Sequence, residues 1–444
     1  MKEYFDVYDS RDGICVSFYP LPKEQPKQGD INNLMELDKE SNTGRKNGIY
    51  VHIPFCEKIC PFCPFNKYLK NNNENVDRYI SALKKEFKYY SKTEYAKSSV
   101  FDSVYFGGGT PTSLSTDQIL DLLETIKSNF NMASDAVYFV EGNPMNYTDE
   151  KLERLAKFGV NRISMGVQTF SSKLAANIGL PQTPDQSRHA IKKAHEVGIN
   201  NVGIDLMYPL PGMNYKDWID SITEAINLKV DHVCIIPFCV VPHTPIEEKI
   251  RSGKTPDILG VDDEVSMYYI ARDMLLNSGY IQYSVLDFRL SNKIDKAAIN
   301  YFTDQANLIA FGPASYGYIN GYTYFNVGNI DEYIKLLENN NLPIITGAKA
   351  DKSEEMHGMM AKGLRMLSVD RKQFIDCFGE DPVNIFGEKL KNLVDKDLVS
   401  VDDTSISLTT KGIIWGNNVC KEFFSNGSQK NIISRVDLAK GRVK

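Results

Sequence analysis

Tyr50-Val51-His52-Ile53-Pro54-Phe55-Cys56-Glu57-Lys58-Ile59-Cys60-Pro61-Phe62-Cys63 is the stretch that decides the fold. Its first residues are β-branched and aromatic and read as a strand. Three cysteines then follow at C-x3-C-x2-C spacing, close enough for one loop to wrap three thiolates around one face of an iron–sulfur cube. Three thiolates on four irons leave one iron open, and an open position marks a reactive rather than a purely structural centre. A zinc knuckle would need a fourth ligand. No second C-x2-C or H-x3-H lies nearby, and His52 sits inside the strand, where packing is the commoner role. The other five cysteines show no disulfide framework, which suits a reducing compartment.

Outward from this loop, strand and helix patterns alternate. The strands are "GIYVHI", "DSVYFGGGTPT", "AVYFVEGNP", "NRISMGVQTF", "INNVGIDLMYPLPG" and "DHVCIIPF". Helical spacing separates them, as at Val76, Tyr79, Ile80 and Leu83, with start signals at Ser115 and Thr148 and a glycine stop at Gly198. Alternation of this kind predicts parallel strands with right-handed crossovers. Six units are too few for a closed eight-stranded barrel. The expected fold is α/β: a partial (β/α)6 barrel, open on one side, over residues 48–246. An extension precedes it (1–47), and an α+β C-terminal region (247–444) follows and covers the substrate. Within that region, "LIAFGPASYGYINGYTYFN" reads as a loop folded over the barrel mouth, and about 355–444 as a winged-helix-like tail.

In parallel barrels chemistry gathers where strands end. The cysteine loop, Gly107-Gly108-Gly109-Thr110, Glu141, Gln168, Asp205 and Pro237 all stand at such ends and outline one cavity. Glycines let the backbone approach a ligand closely. A strand-end acid such as Glu141 is either a cap or a ligand for an amine or a ribose.

The motif C-x3-C-x2-C, with Phe62 before its last cysteine, resembles the signature of the radical S-adenosylmethionine (radical SAM) superfamily. "YVHIPFC" together with "GGGTPT" resembles the oxygen-independent coproporphyrinogen III oxidase family, which includes haem chaperones, radical SAM methyltransferases and anaerobilin synthases. The resemblance spans about 48–245. It implies a 4Fe–4S cluster on Cys56, Cys60 and Cys63, with SAM chelating the open iron. The glycine run then meets the amino-acid end of SAM, Gln168 and Asp205 contact SAM, and Tyr50 lies near the sulfonium. A second SAM molecule is also implied. His243, in "CVVPHTPIEEKI", is a candidate acid/base or axial haem ligand, or simply a loop histidine. Two positions depart from the oxidase pattern: Phe65 stands where a fourth cysteine is expected, and Leu180 where an arginine grips SAM. Both steer the expectation from porphyrinogen decarboxylation towards methyl transfer or haem ring opening.

Composition agrees with a large globular chain: 444 residues, 42% hydrophobic and 24% charged, with net charge −6. That balance argues against a nucleic-acid groove. The N-terminus lacks an apolar signal core and no apolar run is long enough to span a membrane, so a cytoplasmic protein is expected. The resemblance further implies reductive SAM cleavage fed by a flavodoxin- or ferredoxin-type donor, acting on a tetrapyrrole-like substrate such as haem or a porphyrin. The rival expectation is a haem-binding chaperone that keeps the cluster without turnover.

Overall fold

The computed structural model describes residues 7–8, 11–12, 18–20, 31–41, 44–71 and 73–425. Most of the N-terminal extension expected over 1–47 lies outside these. Six parallel strands form the centre: β1 (Asn47–Ile53), β2 (Phe101–Gly108), β3 (Met132–Gly142), β4 (Arg162–Gln168), β5 (Asn201–Tyr208) and β6 (His232–Pro237). They pair in chain order with all neighbours parallel, the pattern that successive helical crossovers generate. Ile49, Val51 and Ile53 of β1 are fully buried, each contributing about 2–3 kcal/mol of apolar burial. The helices begin and stop where the sequence signals them. Ser115 caps Thr116–Asn129 in a reciprocal box with Gln118, Thr148 caps Asp149–Phe158, and Gly159 ends that helix at φ +112°.

Period-2 alternation aims every second strand residue into the barrel. Register then stacks these inward residues in rows. Tyr50, Tyr105, Phe139 and Arg162 form one, and Glu141, Ser164, Gly203 and His232 the next. Asp205 pairs with Cys234 one step nearer the mouth. The lower row is filled: Tyr105 stacks on Phe139 at 4.5 Å, and Arg162 lies over Phe139 while pairing with Asp295 at 2.7 Å. Space opens only above it.

The region after the barrel differs from expectation in one respect. The glycine- and tyrosine-rich stretch is not a loop over the mouth. It forms β9 (Asn307–Phe311), β10 (Tyr316–Ile319) and β11 (Tyr322–Asn326), which continue into β12 (Ile344–Lys349). β7 (Tyr280–Gln282) and β8 (Asp287–Leu290) extend the opposite edge, giving a twelve-stranded open sheet in the order β12-β11-β10-β9-β1-β2-β3-β4-β5-β6-β8-β7. β1 therefore has parallel neighbours on both sides. The turn between β10 and β11 is Asn320-Gly321, both with positive φ, as a two-residue hairpin requires.

Helices Lys352–Arg365, Arg371–Phe378 and Pro382–Asp395, with the small sheet Ser368–Asp370, Val399–Val401 and Ser405–Leu408, make the winged-helix-like unit. Two short helices follow, Thr410–Ile414 and Gly416–Glu422, and residues 11 and 12 tie them to the barrel. Arg11 donates to Ile414 O at 2.8 Å and to Tyr208 Oη at 3.3 Å and pairs with Glu264, while Asp12 N donates to Asn418 Oδ1. Among the described residues no helix is long and apolar enough to cross a membrane.

Candidate active site at the barrel mouth

The cysteine loop is anchored at its base. Phe55–Cys56 pairs with Tyr68–Leu69, Tyr68 N donates to Pro54 O at 2.7 Å, and Lys70 N donates to Cys56 O at 2.9 Å. From there it crosses the mouth of the barrel. Ile246 N holds Pro61 O at 3.2 Å, Pro61 packs on Gly179, and the Phe62 and Phe238 rings meet at 6.0 Å. The return leg rests on His52, whose Nε2 lies 3.3 Å from Asn66 O while Nδ1 faces Tyr50 Oη at 3.1 Å. Burial lowers the His52 pKa to about 4, so this imidazole stays neutral.

Beneath the loop lies a cavity of about 190 Å³. Cys56, Cys60, Phe62 and Cys63 line one wall; Gly108, Gly109, Thr110, Glu141, Gln168 and Asp205 are among the residues that line the others. Thr110 Oγ1 donates to Cys56 Sγ at 3.2 Å. The three thiols are free, and burial pushes their pKa values up, that of Cys60 to about 12. Their protons must leave when metal binds. Among the described residues no three His, Cys, Asp or Glu side chains converge closely enough to hold a single metal ion. Three thiols at this spacing on one wall of a cavity are the donor set that an iron–sulfur cube takes.

The opposite wall is acidic and incompletely satisfied. Glu141 accepts a hydrogen bond from Tyr105 Oη, yet burial raises its pKa to about 7. Asp205 is raised well above the usual range, by burial first and then by the carboxylates of Glu141 and Asp287. Gln168 holds a left-handed backbone at φ +65°, and its Oε1 is buried without a partner. Non-glycine residues adopt that conformation at some cost, which surrounding contacts must offset. A ligand carrying an ammonium and a sulfonium would supply the positive charge and the donors that this wall lacks. SAM carries both, so the residues fit it.

Not every expected residue reaches the cavity. Tyr50 lies below the lining, bonded to His52 and edge-on to Tyr105 at 5.2 Å, because its register row is the filled one. Gly107 is below it too: a Cβ there would meet Glu141, Tyr105 and Tyr50, each at 3.1 Å. His243 stands on the exposed loop after β6 at φ +64°, held through its backbone by Glu247, and does not line the cavity. Ser164, Gly166, Asn143, Met145 and Lys67 do line it, though none drew attention in the sequence. Strand alternation back from Gln168 would have found Ser164 and Gly166. Phe65 and Leu180 both border the cavity.

Residues 50–225 match the model of the radical SAM superfamily, and residues 350–415 match the HemN C-terminal domain. The chain is 33% identical over 378 residues to the Bacillus subtilis protein named "Heme chaperone HemW", covering 84% of this chain and 98% of that one. It belongs to the coproporphyrinogen III oxidase-like family of radical SAM proteins. "Anaerobilin synthase" of Escherichia coli O157:H7 is 25% identical, over 90% of this chain and 88% of that one. The solved structure of coproporphyrinogen III oxidase (HemN) from Escherichia coli superposes with a TM-score of 0.82 at 22% identity, covering 96% of this chain and 98% of that one, so the fold is shared. The cofactors of a radical SAM protein are a 4Fe–4S cluster and SAM. The names of this family's members connect it with haem and porphyrin chemistry.

Proposed function

We propose that the chain is a radical SAM enzyme acting on a haem-like tetrapyrrole, with Cys56, Cys60 and Cys63 holding the cluster and the acidic wall holding SAM. One observation carries this reading: three free thiols face two under-compensated carboxylates and an unpartnered Gln168 Oε1 across a single cavity at the strand ends. When bound, a reduced cluster supplies the electron that cleaves a sulfonium C–S bond. The chain's own residues bind, orient and shelter. Asp205 and Glu141 attract the cationic groups of SAM, and the glycine run lets backbone approach its amino-acid end. Phe62 and Leu180 present apolar surface that excludes water. Phe65 in place of a cysteine, and Leu180 in place of an arginine, favour methyl transfer or haem conversion over decarboxylation of a porphyrinogen. The region from 247 onward is proposed to cover the substrate, and a flavodoxin- or ferredoxin-type protein to supply the electron.

The second reading, a haem chaperone without turnover, is supported by the 33% identity that extends over nearly the whole of "Heme chaperone HemW". One anaerobic assay separates the two. Reconstituted protein, haem, SAM and reductant should release 5′-deoxyadenosine or S-adenosylhomocysteine and change the tetrapyrrole mass, and Cys60→Ala should abolish both. Stoichiometric uptake of unchanged haem, with neither product, refutes the enzyme reading and leaves the chaperone.

A further inference from the structure

We infer that Lys151 is a positioning residue for the proposed SAM site, gripping from behind the turn whose front lines the cavity. The inference rests on the proposed cluster and SAM site, and adds to them a side chain that does not line the cavity.

The turn runs from Gly108 to Leu114. Gly108, Gly109, Thr110 and Pro111 line the cavity, and the short helical turn Pro111–Ser113 carries the chain away from it. Thr112, Ser113 and Leu114 are buried, so their carbonyls need donors from within the fold. Two lysines supply them. Lys151, on the helix Asp149–Phe158, donates from Nζ to Thr112 O at 2.5 Å and to Leu114 O at 2.8 Å. Lys70, on the return leg of the cysteine loop, donates to Ser113 O at 2.7 Å. Lys151 is only 7% exposed, a depth that ammonium groups rarely reach without a partner. Burial lowers its pKa to about 8; Glu57 of the cysteine loop opposes the fall and Lys70 adds to it.

The gripped turn touches both halves of the site. Thr110 N and Ser113 Oγ donate to Phe55 O at 2.9 and 3.1 Å, immediately before Cys56. Thr112 Oγ1 accepts from Asn143 N at 3.2 Å, and a Cβ on Gly142 would collide with the Thr112 side chain. Gly142 and Asn143 follow Glu141 and line the cavity with it. The turn thus sets the spacing between the thiols and the acidic wall, and Lys151 sets the turn. Without the ammonium, two buried carbonyls lose a donor and the turn must move to find others. Misplacement by about 1 Å at a reacting centre is costly.

The test uses the anaerobically reconstituted full chain. Lys151→Met removes the ammonium and keeps the length of the side chain, whereas Lys151→Arg keeps a donor. Lys151→Met should retain the iron and sulfide of wild type, because all three cysteines remain, yet bind SAM about tenfold more weakly by calorimetry. At a SAM concentration that just saturates wild type, the change SAM produces in the electron paramagnetic resonance spectrum of the reduced cluster should fall by about half or more in this variant. Lys151→Arg should recover both. A merely structural lysine would lower the melting temperature and leave SAM affinity and spectrum as in wild type, and that result overturns the proposal. So does a Lys151→Arg variant that binds SAM no better than Lys151→Met. If Lys151→Met fails to fold, Lys70→Met decides: SAM affinity lowered about threefold supports the proposal, and unchanged affinity overturns it. Wild-type protein whose reduced cluster ignores SAM refutes the SAM site itself, and with it the reading on which this inference rests.

Discussion

Asp205 is the residue whose state most depends on what enters the cavity. Burial and two neighbouring carboxylates press it towards its neutral form, and no hydrogen bond to its carboxyl offsets that pressure. A cationic ligand reverses that pressure. Asp205→Asn keeps the shape, removes the charge, and should raise the Kd for SAM about tenfold, roughly 1.4 kcal/mol, by calorimetry on reconstituted protein. Unchanged affinity would remove Asp205 from the SAM site. At this scale the sequence was partly legible. Cys56, Cys60 and Cys63 announce themselves by spacing, and Glu141, Gln168 and Asp205 by closing strands. Tyr50 and His243 could not be placed in the same way. The side of the barrel wall that a strand residue faces, and how far into solvent a loop carries a histidine, depend on registers and turns that no local pattern specifies.

Among elements, the glycine turn after β2 bears the tightest constraint. A Cβ on Gly109 would come within 2.8 Å of Pro54 backbone atoms, and one on Gly108, at φ +113°, within 2.8 Å of the His52 ring. Backbone does not give way as a flexible side chain does. Gly109 N also donates to Ile53 O at 2.8 Å, so the turn and the base of the cysteine loop are one unit. Gly109→Ala should destabilise the chain by about 2 kcal/mol and lower iron and sulfide content after reconstitution. Wild-type melting and metal content in that variant would show the contact is slack. The strands β9 to β11 are where reading by element failed. Their aromatic residues alternate with small ones while both faces are buried, so the polar–apolar rhythm is missing. The hairpin signal was nevertheless present in Asn320-Gly321.

For the whole molecule, Glu86 couples stability to pH. It lies fully buried between Gly312 N, Asn326 Nδ2 and Tyr333 Oη, linking the helix Asn73–Tyr90 to the strands beyond β1. Burial raises its pKa to about 7. The folded chain therefore binds a proton that the unfolded chain has already released, between about pH 4.5 and 7. Stability from this group is full at the acid end of that window and is lost as pH rises through it, a decline of about 3 kcal/mol by pH 8. In Glu86→Gln that part of the slope should vanish, so that the variant gains on wild type as pH increases from 5 to 8 in thermal unfolding of the apoprotein. Parallel curves for the two proteins would show that Glu86 is already ionised when folded.

The strand that bears the cysteine loop sits in the interior of the sheet, flanked by β9 and β2, and does not form its border. Fraying starts at borders, so amide hydrogens of Ile49 to Ile53 should be among the last to exchange with deuterium. The anchorage for iron and sulfide thus persists through partial openings that peel away β7 or β12. An emptied polypeptide can keep its receptacle shaped while awaiting a new inorganic core.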